Sequence, residues 1–196
     1  MRRRGARTMT AAAALARHEL RLLASLLLWA GRRRHGVAGG RAFGYARGQG
    51  AMAFGLLFVC AVETVGVSVL LRDWPAAHHV LLVLDLYTLL VVLGLHAATV
   101  VHPHVLRGDT LRVRHGGHLD LRIPLDRITA VRREARWSHP PAEGALDVTV
   151  GGQTSIAVEL AEPVTHVSLL GRRRPVGTVR FHADDADGLV AALRRA

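Results

Sequence analysis

Apolar residues are distributed along this chain in three regimes. Between Ala11 and Gly31 they recur with a helical period: Leu15, Leu22, Leu23, Leu26, Leu27 and Ala30 share one broad side, and Arg17, His18, Arg21 and Ser25 share the other. Over Gly50–Leu71 and again over His78–Val101 the apolar run is nearly continuous, and each run is long enough to cross a bilayer, which takes about 20 mostly apolar residues. Beyond Val101 the period falls to two. The pattern therefore predicts an amphipathic helix, a pair of membrane spans and a β-rich domain, in that order.

The apolar core of the first segment, Leu22–Ala30, is too short to span, and the Arg32-Arg33-Arg34 run follows it at once. The expected element is an interfacial helix over 11–34, lying on the cytoplasmic leaflet with Trp29 near the headgroups. A cleaved signal is the competing reading, with Arg2–Arg4 as its basic start and Ala14-Leu15-Ala16 as a cleavage-like triplet. The stretch before that triplet is short, mostly Ala and interrupted by Thr8 and Thr10, which disfavours it. Residues 1–10 read as a disordered basic terminus. Residues 35–49 are Gly-rich and polar and read as a linker, with Phe43 and Tyr45 placed for the aromatic belt at the mouth of the first span. Only Arg72–Ala77 separates the two long runs, so residues 50–101 form a helical hairpin whose outer turn holds Trp74 and Pro75.

After His102-Pro103-His104, Thr110–His115 and His118–Ile123 alternate on either side of Gly116-Gly117, a hairpin signature. Ile128–Val131 opens a third strand. Ala145–Val150 and Ser155–Leu160 are expected to pair around Gly151-Gly152, and Val164–Leu170 and Val176–Phe181 around Gly171–Pro175, a tip that bears Arg172-Arg173-Arg174. Asp184 or Asp185 can cap a last helix through Leu189, Val190 and Leu193, with acids at its start and Arg194-Arg195 at its end. The fold class that follows is an α+β membrane protein: an N-terminal amphipathic helix, a two-helix transmembrane hairpin, and a seven-stranded antiparallel barrel over 104–196 capped by a C-terminal helix.

This order resembles the bacterial pleckstrin-homology-like membrane proteins, actinobacterial type, in which transmembrane hairpins precede a PH-like barrel. Asp109–Gly117 is similar to that family's opening hairpin. Ile123-Pro124-Leu125-Asp126-Arg127-Ile128-Thr129-Ala130-Val131 is similar to its apolar-Pro-Leu-x-x-Ile-x-x-Val run, and Val179–Asp185 followed by Leu189–Leu193 to its last strand and capping helix. The resemblance covers residues 50–196 in layout and about 30 residues in motif. It implies membrane tethering with binding or scaffolding, and no particular lipid ligand.

Charge sharpens the topology. All 26 basic residues are Arg, and the formal net charge is +11. An Arg-only chain rich in Ala, Gly, Val and Leu fits a GC-rich bacterial coding sequence. Eleven Arg fall in residues 1–49 against one acid, Glu19. Directly before a hairpin, such a block points to an anionic membrane surface rather than nucleic acid, whose recognition also wants aromatics among the charges. Positive flanks stay in the cytoplasm, so both termini are expected inside a bacterial plasma membrane. Cys60 is the lone cysteine and lies in the first span, where it reads as a packing residue.

The candidate chemistry begins with Glu63 and Asp85, one acid in each apolar run. Glu63 lies eight residues before Leu71 and Asp85 seven after His78, so both sit roughly 10–12 Å inside the outer face. A charged acid at a helix centre costs about 2.5–3.5 kcal/mol, so a neutral, hydrogen-bonded form is expected, with Thr88 one turn beyond Asp85 and Thr64 beside Glu63 as further partners. This polar contact could glue the hairpin, meet a partner membrane protein or a second copy, or handle ions. His96, near the cytoplasmic end of the second run, reads as an interfacial or buried neutral imidazole. The basic clusters Arg132, Arg133, Arg136 and Arg172, Arg173, Arg174 are candidates for anionic lipid or partner binding, at about 1 kcal/mol per Arg near a surface, against the reading of solvated loops. His102 and His104 alone do not make a metal site, so neither metal nor cofactor is expected. No G-x-S-x-G, Walker loop, H-E-x-x-H or dinucleotide fingerprint occurs. The expectation is a non-enzymatic scaffold or adaptor; the alternative is a small subunit of a transport or ion-responsive complex using Glu63 and Asp85.

Overall fold

The computed structural model describes residues 11–168 and 171–196; the expected disorder of residues 1–10 lies outside them. Helix α1 (Ala11–Ala30) leads to strand β1 (Arg41–Phe43), a single 3-10 turn at Arg47–Gln49, and the long helices α2 (Gly50–Leu70) and α3 (Pro75–Val101). Strands β2 (His104–Arg107), β3 (Thr110–His115), β4 (Leu119–Pro124), β5 (Ile128–Arg136), β6 (Ala145–Val148), β7 (Thr154–Val167) and β8 (Arg173–Phe181) follow, then helix α4 (Ala186–Leu193). Two helices, Arg47–Leu70 with its 3-10 start and Pro75–Val101, are long and apolar enough to cross a membrane. Pro75 opens α3 at its first turn, where a missing N–H costs nothing.

The hairpin exposes apolar side chains along most of its length, from Met52 and Phe54 to Leu70 and from Val80 to Leu90. Burial begins only at the far end of α3, at Gly94, Ala97, Ala98 and Val101. Small residues there admit a neighbour. A Cβ on Gly94 would lie 3.2 Å from Leu22 Cβ, so α1 comes against α3 at that point. Leu22 and Ser25 are buried; Ser25 Oγ donates to Arg21 O at 2.7 Å, and Tyr87 OH donates to Glu19 at 2.7 Å. The helix expected to lie alone on the leaflet is thus packed along α3, and the groove over Gly94, Ala97 and Ala98 is the reason.

The stretch expected to be a linker is also structured. Strand β1 pairs with β2, Arg41 opposite Leu106 and Phe43 opposite His104. Gly40 permits it: a Cβ there would meet Val105 Cγ1 at 2.7 Å. Phe43 and Tyr45 are therefore buried in protein rather than placed at the headgroups.

The β-domain consists of two four-stranded sheets, β1-β2-β3-β4 and β5-β7-β8-β6, and does not close into a seven-stranded barrel. The eighth strand is β1, donated from the N-terminal side of the hairpin. Ala145–Val150 does not pair with Ser155–Leu160 as expected; a single bridge, Val150 with Gln153, closes the Gly151-Gly152 turn between them. The fourteen-residue β7 gives one edge to β5 and the other to β8, which leaves β6 to run parallel to the outer edge of β8. Arg180 Nη1 holds Asp147 across that parallel pair at 3.1 Å. The first hairpin forms as expected, with His115 opposite Leu119. The last hairpin is tighter than expected: Val167 faces Arg173 and Thr165 faces Pro175, so Arg173 and Arg174 lie within β8. Between the sheets lie Phe43, Leu111, Ile123, Ile156, Val158, Val179, Phe181 and, from α4, Leu189. Asp185 caps α4, accepting from Gly188 N at 2.9 Å. Asp184 turns the other way, its N–H donating to Gly44 O at 2.8 Å and its carboxylate accepting from Arg47 N at 3.3 Å.

Candidate functional site at the junction of helices and sheets

The expected site residues separate. Glu63 is exposed on α2 and Asp85 half-exposed on α3, and no hydrogen bond joins them among the described residues. The threonine hydroxyls turn inwards to their own helices: Thr88 Oγ1 donates to Leu84 O at 2.9 Å and Thr64 Oγ1 to Cys60 O at 2.8 Å. Whatever the acids meet, it is not each other through these groups.

The basic clusters also differ from one another. Arg132 pairs with Glu159, Arg133 with Asp187 at 2.9 Å, and Arg136 with Glu134 at 2.5 Å. These three cations are largely spent on β5's own neighbours. Arg172, Arg173 and Arg174 are exposed and make no ion pair among the described residues. Arg132 lies opposite Ala157 and Arg174 opposite His166, so the clusters sit toward opposite ends of β7 and do not form one patch.

What the fold does gather is histidine. Nine of the twelve histidines lie where α1, the end of α3 and the β3–β4 turn meet, or in the strands just beneath. A chain of ring contacts runs from His18 to His118 (6.2 Å), to His115 (5.5 Å), to Tyr45 (5.5 Å), to His104 (4.8 Å) and to Phe181 (4.9 Å). His35 and His102 stand 5.5 Å apart beside it, and the His96 ring lies 5.9 Å from that of Trp29. His182 and His166 complete the set from β8's end and β7. His102 and His104 follow the end of α3 on alternating positions, while His115 and His118 flank a turn that folds back on them; the sequence spacing gives no sign that these pairs converge.

His104 is the best defined. Its Nε2 faces His182 O at 2.8 Å and its Nδ1 faces the Arg114 N–H at 3.1 Å. A carbonyl needs a donor and an N–H needs an acceptor, so the ring is neutral with the proton on Nε2. Burial pushes its pKa down to about 4; the bond to His182 O opposes that shift, and the Arg114 guanidinium adds to it. His115 is likewise lowered to about 4, by burial first and His118 second. Burial also lowers His118, with His18, Arg21 and His166 acting in the same direction. Tyr45 OH accepts from Gly116 N at 2.8 Å, and burial raises its pKa. Burial thus favours the uncharged forms of Tyr45, His104, His115 and His118, and the contacts of this node fix the β3–β4 turn on the helix ends. No three of the described His, Cys, Asp or Glu residues are arranged to hold a metal.

Beside the node lies a cavity of about 470 Å³ between α1, the β3–β4 turn and the end of β7. Arg21, Ser25, His102, Arg114, His118 and His166 are among its walls. Arg21 Nη1 donates to Gly117 O at 3.1 Å. Arg114 is only 3 % exposed, yet its guanidinium has a single hydrogen bond, Nη1 to His35 O at 2.7 Å. The adjacent carboxylate, Asp120, is already paired with Arg112. Burial accordingly lowers the pKa of Arg114. In the alternating run Thr110–His115, Arg114 stands in a polar position and reads from the sequence as solvent-facing, so no local signal marks it. The chain matches no family model, and neither a curated protein nor a solved structure is similar to it.

Proposed function

We propose that this chain is a non-enzymatic integral membrane protein whose pleckstrin-homology-like β-domain serves as a binding or scaffolding module at the cytoplasmic face of a bacterial plasma membrane. The observation that carries the reading is the continuity between two membrane-length helices and the β-domain. Strand β1 precedes the hairpin and β2 follows it, and they pair with each other. The domain is thereby clamped to the helix ends at a fixed height instead of swinging on a linker. A domain held this way can present one surface to the bilayer and another to a partner. The Arg-rich flanks on residues 1–49 and after Val101 favour cytoplasmic termini.

The arm formed by the β7–β8 hairpin is the surface best suited to an anionic lipid or an acidic partner protein, because Arg172, Arg173 and Arg174 make no ion pair among the described residues while Arg132, Arg133 and Arg136 are paired. The test uses the whole chain, since a fragment from residue 104 would lack β1 and Tyr45. Reporter fusions at the C-terminus should map inside, and the triple variant Arg172→Glu, Arg173→Glu, Arg174→Glu should lose attachment to anionic nanodiscs added to detergent-held protein, or lose a cross-linked partner. A C-terminus mapped outside would overturn the topology. Unaltered lipid and partner binding by the triple variant would overturn the role of the arm.

A second reading, a small subunit of a transport or ion-responsive assembly, draws on Glu63, which is exposed on α2 and meets no partner among the described residues. A lipid-facing acid of that kind is a contact waiting for another membrane protein. Glu63→Gln with Asp85→Asn keeps hydrogen bonding and removes titration. If assembly survives that pair of changes and fails with Leu at both sites, the acids act as polar contacts and not as ion handlers.

A further inference from the structure

We propose that the cavity around Arg114 binds a phosphate-bearing anion, the headgroup of an anionic phospholipid being the form that the adjoining surface favours. Arg114 is a buried cation with one hydrogen bond and no carboxylate within salt-bridge distance among the described residues. The segments outside those residues contain no acid in their sequence. A guanidinium carries five N–H donors in a planar fork suited to two oxygens of one phosphate. Leaving that fork buried and uncompensated is costly, and an oxyanion in the cavity relieves the cost. Arg21 joins the wall that α1 supplies, fixed by its bond to Gly117 O. Ser25 adds a hydroxyl, although that group already donates to its own helix and offers its lone pairs and little else. With Asp120 neutralised by Arg112, the walls carry the excess charge of Arg21 and Arg114. A volume of about 470 Å³ falls in the range of small-ligand sites.

The source of the phosphate is indicated by what borders the cavity. On α1, Leu20, Leu23 and Leu27 are exposed and follow one face beside the Arg21–Ser25–Leu28 wall. An amphipathic ligand would place its charged group among the arginines and its chains along those leucines. Inorganic phosphate would occupy the same donors without using the leucine stripe. The inference rests on the bilayer-held reading only for this choice of source.

The experiment uses the full-length protein. In neutral detergent, inorganic phosphate is compared with chloride at equal ionic strength by thermal melting. In nanodiscs of phosphatidylcholine with and without phosphatidylglycerol, lipids retained on release are counted by native mass spectrometry. Wild type is expected to be stabilised by phosphate, to retain phosphatidylglycerol over phosphatidylcholine, or both. Arg114→Gln should lower the retained phosphatidylglycerol or the phosphate affinity by about tenfold, the loss of a charge-assisted bidentate contact. Arg21→Ala, at an exposed helix position, should lower it several-fold without altering the fold, and it decides the matter if Arg114→Gln does not fold. Selective lipid retention with no phosphate effect assigns the site to the headgroup; a phosphate effect with no lipid selectivity assigns it to a free anion. No response to either probe in wild type, or equal responses in wild type and Arg21→Ala, overturns the proposal. Failure of the bilayer-held reading looks different: the protein would be extracted from membranes by alkaline carbonate while the phosphate response persisted.

Discussion

Acidification should loosen the first sheet through His104, and the size of the effect follows from its two hydrogen bonds. The native ring is neutral, with Nε2 donating to His182 O and Nδ1 accepting from Arg114 N–H. Its pKa is about 4 in the folded chain, against about 6.5 for an unperturbed imidazole. The folded value is the lower one, so the unfolded chain binds the proton first. Stability is complete above about pH 6.5 and is lost as the pH falls toward 4. From pH 7 to pH 5 the loss from this one ring is about 1.8 kcal/mol, and it levels off below its native pKa at about 3.4 kcal/mol. His115, likewise lowered to about 4 but partly exposed to solvent screening, adds an increment of the same sign. The assay is hydrogen–deuterium exchange on the full chain in nanodiscs, corrected for intrinsic rate, followed at the amides of His104–Arg107 and Thr110–His115. The opening free energy there should fall by about 2–3 kcal/mol between pH 7 and pH 5, while amides in the middle of α2 hold steady. His104→Phe keeps a ring between Tyr45 and Phe181 and removes the titration. At pH 7 it should cost about 2–4 kcal/mol, because Arg114 N–H and His182 O lose their partners, and it should flatten most of the pH dependence. Protection that does not change with pH in wild type, or His104→Phe with the wild-type pH dependence, would refute the reasoning.

Three further outcomes are expected. Tyr45→Phe removes the acceptor for Gly116 N–H and should destabilise the β3–β4 turn by about 1–3 kcal/mol, seen as faster exchange at Gly116–His118 with little change in β7. Gly94→Val drives a side chain into Leu22 and should cost about 1–3 kcal/mol of α1–α3 packing, detected as faster tryptic cleavage at Arg17 and Arg21 in folded protein. Gly40→Ala should detach β1 from β2, because the new methyl meets Val105 Cγ1 and Leu106 O; exchange at Arg41–Phe43 should rise while the β3–β4 ladder remains protected.

Much of the architecture was legible from local pattern. The two apolar runs specify α2 and α3, the period-two alternation specifies β3 and β4, and Asp185 with the acids around it marks the start of α4. These features depend on neighbours within a turn or a strand. The partners of β6 and the fate of residues 35–49 were not legible. Val150 and Gln153 flank two glycines, the usual signature of a hairpin, yet β7 is occupied on both edges and β6 is diverted to β8. Three residues, Arg41–Phe43, are too few to carry an alternation that stands out, and only the approach of Val105 over Gly40 makes them a strand.

By itself, then, the sequence determined which segments are helical, which are extended and which can enter a bilayer, because burial in lipid and pleating of a sheet are written in short-range periodicity. Tertiary structure alone decided what those segments meet. Glu63 and Asp85 occupy equal depths in the sequence and still make no bond to each other, since the rotation of each helix about its axis is set by packing. Arg114 and His104 read as ordinary polar positions, and they become a buried cation and a buried neutral ring because α1, β1 and the end of α3 converge over β3. That convergence is made of contacts between residues up to 100 positions apart, His18 with His118, a range over which no local periodicity carries information.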